Sequence, residues 1–320
     1  MQDICGRQIT YLRISVTDLC NLRCRYCIPE AGVVQKCHTE ILSYEEILQV
    51  VRAAAALGVE KIRITGGEPL VRRGITELVR MIAGVPGIRD LSLTTNGLLL
   101  GDMAQDLKGA GLGRVNVSLD TLNPEKYAQI TRGGDLRRVL AGLQAAREAG
   151  LAPIKINTVL IGGFNDDEIA DFAQLTRQEA LDVRFIELMP IGEASTWTEG
   201  HFIPSQTVLD RLPQLEAEPE GGDGGPARHW RLPGALGRIG LINPISSHFC
   251  GTCNRIRLTA DGRLKPCLHT DREIDLRPAL GDPTALQDLI RLGVRQKPEG
   301  HRINGCDFAP VTRNMHQIGG

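Results

Sequence analysis

The chain has 320 residues, enough to bury a large α/β core, and it carries 37 basic and 38 acidic side chains. This balance excludes a general polyanion-binding surface, so we expect no nucleic-acid partner, and a bound phosphate needs a local cluster of basic side chains. The sequence has no apolar run near the ~20 residues that span a bilayer and no signal-peptide pattern, which predicts a cytoplasmic protein without a membrane partner.

Strand-like apolar runs recur through the first two thirds of the chain and alternate with helical patterns. A capping box at Ser43 opens a helix over 43–57, and a second helical pattern covers 135–149. Repeated strand–helix units predict a parallel sheet with right-handed crossovers. Six units predict an α/β fold, a partial (β/α)6 TIM-type barrel, with a C-terminal extension. The predicted strands are 11–16, 61–65, 90–94, 114–118, 154–159 and 182–187.

Three cysteines follow the first predicted strand, separated by three and then two residues. Polar side chains between Cys20, Cys24 and Cys27 argue against a face of buried, packing cysteines. Zinc is the stronger alternative, although zinc sites usually pair two Cys-x2-Cys hooks or one hook with two histidines. Three thiolates on a loop suit a [4Fe-4S] cluster that keeps one iron free of protein ligands.

Polar stretches follow the next predicted strands, at the edge where the ligands of such barrels gather. Residues 65–69 read Thr-Gly-Gly-Glu-Pro, residues 94–97 read Thr-Thr-Asn-Gly, and residues 117–120 read Val-Ser-Leu-Asp. Each stretch alone is typical of a turn or a helix N-cap. Their repetition after successive strands predicts a binding site at that edge.

The fifth and sixth strands supply further candidates. Alternation puts Lys155 and Asn157 on one face, and an inward lysine is costly unless it is paired with an anion. A surface lysine on an edge strand is the alternative. Met189 follows the sixth strand, where a methionine usually packs in a core. Residues 216–228, rich in Glu, Pro, Gly and Asp, predict a mobile surface loop near a boundary, without a chemical role.

A second group of cysteines lies near the C-terminus. Cys250 and Cys253 are separated by two residues, and Cys267 follows after thirteen. Alone, the group predicts a zinc ribbon with His248 or His269 as the fourth ligand. Beside the first trio, a second iron–sulfur cluster is the better interpretation.

Arginines lie between the cysteines of the second group. Arg255 and Arg257 flank Ile256, so alternation aims both guanidiniums to one side, as a fork suited to phosphate. A solvated strand face is the alternative. The remaining cysteines are predicted to be ordinary thiols: Cys5, Cys37 and Cys306.

The first trio resembles the signature of the radical S-adenosylmethionine (SAM) enzymes, CxxxCxxC with an aromatic residue, here Tyr26, before the last cysteine. The resemblance implies that the open iron chelates SAM and that one electron from the cluster cleaves SAM to a 5'-deoxyadenosyl radical. The protein then positions a cofactor that does the chemistry. By the same resemblance, SAM is lined by Tyr26, Gly67, Ser118 and Met189.

Stretches along almost the whole chain resemble the GTP-cyclising radical SAM family of molybdenum cofactor biosynthesis. They are LRISVTDLC, RITGGEPL, TTNG, NVSLD, KINTVL, ELMPIGE, CNRIRLT and the terminal Gly319-Gly320. The resemblance implies a second [4Fe-4S] cluster on Cys250, Cys253 and Cys267, whose open iron meets the guanine of GTP. It also implies a catalytic part for Gly319 and Gly320, which would otherwise form a frayed tail. The GTP ligands implied by motif position are Arg13, Arg63, Thr94, Lys155, Arg255, Ile256 and Arg257.

The resemblance implies radical cyclisation of GTP to 3',8-cyclo-7,8-dihydro-GTP. It further implies an external electron donor, delivery of the product to cyclic pyranopterin monophosphate synthase, and an assembly compatible with a homodimer. We divide the chain into a radical SAM core, 1–228, and a C-terminal auxiliary-cluster region with the Gly-Gly tail, 229–320. A radical SAM enzyme acting on a peptide and a zinc-stabilised α/β binding protein are the rival hypotheses.

Overall fold

The structure is a computed structural model that describes residues 1–219, 225–303 and 311–319, apart from the side chains of residues 197–199. The described strands are β1 (Tyr11–Ser15), β2 (Lys61–Thr65), β3 (Asp90–Thr95), β4 (Arg114–Ser118), β5 (Lys155–Leu160), β6 (Asp182–Glu187), β7 (Glu216–Ala217), β8 (Arg228–Arg231), β9 (Arg238–Ile242), β10 (Arg255–Leu258), β11 (Arg263–Lys265) and β12 (Ile274–Asp275).

These strands form one sheet in the order β12-β11-β10-β1-β2-β3-β4-β5-β6-β9-β8-β7. Pairing is parallel from β10 through β1 to β6 and on to β9. The outer strands at both edges pair antiparallel. The predicted partial (β/α)6 barrel with a C-terminal extension is confirmed, and the extension adds a parallel strand to each side of the six.

The described helices are α1 (Tyr44–Ala56), α2 (Ile75–Ala83), α3 (Leu100–Gly109), α4 (Pro124–Thr131), α5 (Leu136–Glu148), α6 (Ile169–Gln178), α7 (Ala194–His201), α8 (Gln206–Arg211), α9 (Pro283–Arg295) and α10 (Met315–Ile318). The Ser43 side chain accepts from the Glu46 N–H at 3.1 Å, and the Glu46 carboxylate accepts from the Ser43 N–H at 2.6 Å. This capping box explains why α1 begins where the sequence predicts.

Alternation along the strands separates an apolar core from a polar interior. Leu12 and Ile14 of β1 are fully buried and belong to one core that also contains Val50 of α1 and Leu78 of α2. Arg13 lies between them in sequence, so its side chain points to the opposite face, toward the interior. Inward positions of such barrels are usually filled by branched apolar residues. The charged positions here leave a cavity instead.

The segment 216–228 connects two paired strands. β7 and β8 form a hairpin in which Glu216 pairs with Arg231, and Ala217 with Trp230. Residues 220–224 lie outside the described residues. Gly225 and Pro226 line the central cavity, and the absence of a chemical role stays a prediction. The division at 228/229 stays a prediction. No helix among the described residues is long and apolar enough to cross a membrane.

Candidate active site

A cavity of about 530 Å³ runs through the interior of the partial barrel. Its lining begins at the first residues of neighbouring strands, Tyr11 and Lys61, and reaches Gly67 and Asn96 beyond the strand ends. All six cysteines of the two trios line it. The cavity therefore connects the two cysteine groups.

The two trios lie at opposite ends of this cavity. The first trio follows β1 and so lies at the carboxyl ends of the parallel strands. Cys253 precedes the first residue of β10, which runs parallel to β1, and Cys267 follows antiparallel β11. The second trio therefore lies at the amino ends, a placement that the sequence did not reveal.

The loop of the first trio is held by close backbone packing. A Cβ atom at Gly67 would stand 2.3 Å from the carbonyl oxygen of Leu19, and one at Gly66 would stand 2.6 Å from that of Thr17. Real Cβ atoms do not approach oxygen so closely, so only glycine allows the backbone of residues 66–67 to lie against the residues before Cys20. The Gly-Gly pair therefore positions the cysteine loop.

Glu68 joins two of the polar stretches. Its buried carboxylate accepts from the Leu70 N–H at 2.9 Å, the Thr95 hydroxyl at 2.8 Å and the Asn96 N–H at 2.7 Å. Burial raises the pKa of Glu68 to about 7 even though these hydrogen bonds lower it. Glu68 thus fixes the loop after β3 against the loop after β2, a role that the sequence analysis missed.

Tyr26 is also held by a buried carboxylate. Its hydroxyl donates to Asp120 at 2.6 Å, and Asp120 accepts from the Val159 N–H at 2.9 Å. Burial raises the pKa of Asp120 to about 6. In the sequence Asp120 stands out only as part of a motif, although its carboxylate ties the first cysteine loop to β5. The predicted SAM-lining residues all line the cavity: Tyr26, Gly67, Ser118 and Met189.

Buried cations occupy the middle of the cavity. Arg13 of β1 stands in register between Arg63 of β2 and Arg257 of β10, and each is 7–9% exposed. Burial lowers the pKa of Arg13 and Arg63 to about 9 and that of Arg257 to about 10. These values lie above neutral pH, so all three guanidiniums remain charged. Crowded, dehydrated cations favour a polyanionic ligand.

Asp182 compensates the buried cations on one side of the cavity. Asp182 lies 2.8 Å from Arg184 and 3.4 Å from Lys155. Burial raises the pKa of Asp182, but these cations outweigh it and lower the pKa to about 2. Arg63 instead meets a neutral group, since the amide oxygen of Asn116, in the orientation that satisfies both side chains, accepts from it at 3.1 Å. Asp182 is therefore the anionic partner of Lys155. Arg63 has a neutral neighbour in Asn116, so the space beside Arg63 suits an external anion.

The second trio is held by cationic side chains. Lys297, 2% exposed, donates to the carbonyl oxygens of Arg255 at 2.8 Å and Pro266 at 2.9 Å, next to Cys267. The guanidinium of Arg7 donates to the carbonyl oxygen of Cys250 at 2.8 Å. Neither residue could be predicted from a sequence pattern, because their partners are backbone carbonyls far away along the chain.

Arg255 acts on the nearest thiol. Its guanidinium stacks on the Phe249 ring, 4.8 Å from the centroid. Burial raises the pKa of Cys253, but Arg255 and Lys297 outweigh it and lower the pKa to about 6. Burial and the neighbouring Cys20 thiol instead raise the pKa of Cys27 to about 12. Thiolate is the form that binds metal, so the cations favour the metal-binding form at the second trio.

Three histidines pack beside the second trio. The His301 ring lies 5.2 Å from His248 and 4.8 Å from His269, between centroids. Burial lowers the pKa of His269 to about 3, so this ring is neutral. In the parts of the chain that the structure describes, no three His, Cys, Asp or Glu side chains are grouped as ligands of one metal ion.

The C-terminal segment contributes Met315 and His316 to the lining of the cavity. Arg313 pairs with Glu273 at 2.6 Å and Asp261 at 3.1 Å, and α10 begins after Asn314 with a capping box. The His316 ring nitrogen lies 3.2 Å from the carbonyl oxygen of Cys27. The segment therefore touches the loop of the first trio.

Gly319 lies deeper than a frayed tail would. Arg257 donates to its carbonyl oxygen and, at 3.0 Å, to that of Ile318. The backbone has φ 72°, and a Cβ atom would stand 2.4 Å from the Thr65 methyl group, so glycine is required. Gly320 lies outside the described residues.

The predicted GTP ligands differ in their placement. Ile256 is 1% exposed on the core side of β10, and its side chain does not line the cavity, since alternation turns it away from Arg255 and Arg257. Cys5 and Cys37 are exposed, and Cys306 lies outside the described residues. The others line the cavity: Arg13, Arg63, Thr94, Lys155, Arg255 and Arg257.

Comparisons with known proteins agree with this arrangement. The model of the Radical SAM superfamily matches residues 14–176, and the model of Molybdenum Cofactor Synthesis C matches residues 181–303. A GTP 3',8-cyclase of Alkaliphilus oremlandii (strain OhILAs) is 53% identical over 321 residues and is covered, like this chain, to 100%. A GTP 3',8-cyclase of Geobacter sulfurreducens is 49% identical over 323 residues, with 99% of each chain covered.

Solved structures show the same fold at low identity. SuiB of Streptococcus suis, crystallised with S-adenosylmethionine, is similar with a TM-score of 0.64 and 16% identity. The match covers 97% of this chain and 77% of SuiB. At this identity the likeness supports the fold alone.

Proposed function

The chain belongs to the radical SAM superfamily and to the GTP 3',8-cyclases within it, and we propose that its cavity binds GTP between two [4Fe-4S] clusters. Its reaction forms (8S)-3',8-cyclo-7,8-dihydroguanosine 5'-triphosphate, the first step of molybdenum cofactor biosynthesis. The observation that carries the proposal is one cavity with a cysteine trio at each end and buried arginines between them.

SAM and an iron–sulfur cluster are the cofactors of this superfamily. We assign the SAM cluster to Cys20, Cys24 and Cys27, and a second cluster to Cys250, Cys253 and Cys267. The donor sets fit, because each trio offers three thiols to one cavity and leaves one iron of a cubane for a small molecule. When bound, the first cluster and SAM supply one-electron chemistry that removes a hydrogen atom from the ribose.

The protein's own residues bind and orient the nucleotide. Arg13, Arg63 and Arg257 converge on the middle of the cavity, where charge-assisted hydrogen bonds hold a triphosphate still. With the triphosphate held there, the guanine base reaches the second trio and the ribose faces the first trio. Thr94 and Lys155 complete the lining on β3 and β5.

We further propose that the C-terminal segment orders the active site. Gly319 receives the Arg257 guanidinium, and His316 contacts the first cysteine loop, so the segment connects β10 to the SAM end. In this proposal Gly319 acts in catalysis by positioning Arg257, and the catalytic part of Gly320 stays a prediction. A protein that ends at Ile318 should fold, carry both clusters and bind GTP without forming product. Full turnover by this truncated protein would contradict the proposal.

The remaining parts of the proposal concern organisation and partners. Residues 1–228 form the radical SAM core, and residues 229–320 supply the second trio and the C-terminal segment. An external protein supplies electrons, and cyclic pyranopterin monophosphate synthase takes the product.

Anaerobic reconstitution tests the function directly. Protein incubated with SAM, a low-potential reductant and GTP should convert the nucleotide to the cyclised product, identified by mass analysis. Controls omit SAM or use the Cys24→Ala variant, and neither should form product. Cleavage of SAM with GTP unchanged would contradict the proposed substrate, and iron at the first trio with zinc at the second would contradict the second cluster.

A further inference from the structure

A second depression, of about 400 Å³, lies against the loop of the first trio. Cys20 lines both this depression and the central cavity. Of the cysteines in the described residues, Cys20 is the one in its lining. The depression therefore gives a partner direct access to one ligand of the first cluster from outside the active site.

The depression is basic, although the chain has a net charge of −1. Its lining contains three arginines, Arg23, Arg132 and Arg138, and one carboxylate, Asp135. That carboxylate already pairs with a fourth arginine, Arg137, at 3.1 Å. An excess of positive charge on a nearly neutral protein attracts a negatively charged partner.

Two of these arginines are built into the cysteine loop. Arg23 donates to the carbonyl oxygen of Cys20 at 2.6 Å, and Arg132 donates to those of Arg23 at 2.9 Å and Ile28 at 3.1 Å. Arg132 has φ 55°, a left-handed conformation that costs energy for a residue with a side chain. The strained backbone holds a cation across the loop of the first trio.

Arg138 is different, because its side chain donates to no backbone carbonyl among the described residues. It lies in the first turn of α5, its side chain is 54% exposed, and it pairs at 3.9 Å with Asp102, whose side chain is 82% exposed. A cation in the first turn opposes the helix dipole. The position therefore carries a positive charge that helix stability does not explain.

We propose that this depression is the docking surface of an acidic protein that carries a one-electron flavin or iron–sulfur centre. One electron passes from the carrier, which is oxidised, to the first cluster, which is reduced, and no bond or proton moves. The carrier docks outside the barrel, so reduction does not require the central cavity to open. This inference rests on the proposed function, because it assumes a cluster at the first trio.

The test replaces Arg138 by Glu in anaerobically reconstituted protein. The substitution reverses a charge on the docking surface and suits the helix dipole, so the fold is retained. A matched control is Arg291→Glu, because Arg291 lies on α9, pairs with Asp288 at 2.9 Å and is 45% exposed. Neither arginine belongs to the catalytic or binding site.

Two reductants separate docking from damage to the cluster. Reduced acidic flavodoxin is the protein probe, and reduced methyl viologen is a small cation that needs no docking surface. Reduction of the first cluster is followed by the rate at which SAM is cleaved to 5'-deoxyadenosine, and flavodoxin affinity by fluorescence anisotropy, from low to high ionic strength. We expect Arg138→Glu to slow reduction by flavodoxin about five- to tenfold at low salt, with weaker flavodoxin binding and little effect at high salt. Reduction by methyl viologen should be unchanged, and Arg291→Glu should match the unsubstituted protein.

Other outcomes overturn the docking proposal. They are unchanged reduction by flavodoxin in Arg138→Glu, equal slowing with both reductants, and equal slowing by Arg291→Glu. A dimer that Arg138→Glu dissociates in sedimentation would make the surface an interface between copies of this chain. The proposed function fails separately, if methyl viologen supports SAM cleavage in the unsubstituted protein while GTP stays unchanged.

Discussion

The two cysteine trios of this protein reach the same cavity by different physical means. The first trio lies on a loop held by backbone packing, with Gly66 and Gly67 pressed against residues 17–19. The second trio lies on segments held by buried cations, with Arg7 and Lys297 donating to backbone carbonyls beside the cysteines. Arginines also donate to backbone carbonyls at the first end. The difference is that the first end additionally requires glycines in close packing, whereas Gly251, within the second trio, has open space at its Cβ position.

This difference extends to the thiols. Burial raises the pKa of Cys24 and Cys27, and neighbouring thiols add to it, so iron must replace the protons there. Cations hold the pKa of Cys253 at about 6, against the effect of burial. The first end suits a cluster that leaves its cavity side to SAM and its outer side to an electron carrier. The second suits a cluster that meets substrate among cations.

The largest expected effect comes from removing one ligand at each end. Cys24→Ala should abolish reductive cleavage of SAM, because we assign the SAM-binding cluster to the first trio. Cys253→Ala should retain uncoupled SAM cleavage but form no cyclised GTP. Chromatography of 5'-deoxyadenosine and of the nucleotide, with iron analysis, measures both results. Normal product from Cys253→Ala would reduce the second trio to a structural site.

A pair of glycine substitutions tests the packing difference. The Cβ atom of Gly67→Ala would meet the Leu19 carbonyl oxygen at 2.3 Å, whereas nothing lies within 4 Å of the position for Gly251→Ala, between Cys250 and Cys253. We expect Gly67→Ala to lose most of the first cluster and Gly251→Ala to keep both, by iron and sulfide analysis and by electron paramagnetic resonance. Equal iron contents in the two variants would remove the distinction between the loops.

The sequence predicted much of this architecture and less of what holds it together. Strand periodicity and helix caps predicted the bounds of β2, β4 and β6 to the residue, because local pattern determines them. Spacing and resemblance supplied the cysteines. The alternation that aimed Arg255 and Arg257 into the cavity already turned Ile256 away, so assigning Ile256 to GTP went against the pattern.

Long-range contacts explain what the sequence missed. Lys297 bonds backbone carbonyls 42 and 31 residues away, and Arg7 one 243 residues away. Backbone carbonyls occur in every residue and leave no pattern in the sequence. The opposite placement of the trios depends on β10 pairing parallel with β1, which no local pattern shows.

A smaller effect is expected from Lys297→Met, which keeps the length of the side chain and removes its charge. Two buried carbonyls lose their donor, which costs about 1–3 kcal/mol each before relaxation. Loss of a positive charge near the second trio should lower the reduction potential of the second cluster and leave the first unchanged. Spectroscopic redox titration of both clusters measures this difference. Lys297→Arg, which keeps the charge, is the control, and equal shifts at both clusters would contradict a local effect.

The smallest expected effect comes from the titration of Lys155, which lies between the two trios. It should leave both clusters unchanged. Burial and the neighbouring Arg184 lower the pKa of Lys155 to about 8, against the opposing effect of Asp182. A charged Lys155 favours the triphosphate, so GTP affinity should decline as the pH rises through 8, by at most about tenfold per pH unit for one proton. Binding measured by equilibrium dialysis from pH 7 to 9, without reductant, avoids any influence of turnover. Lys155→Arg keeps its charge over this range and should flatten the profile, with iron content unchanged. The same pH dependence in Lys155→Arg would show that another group controls it, and Lys155 would then only balance Asp182.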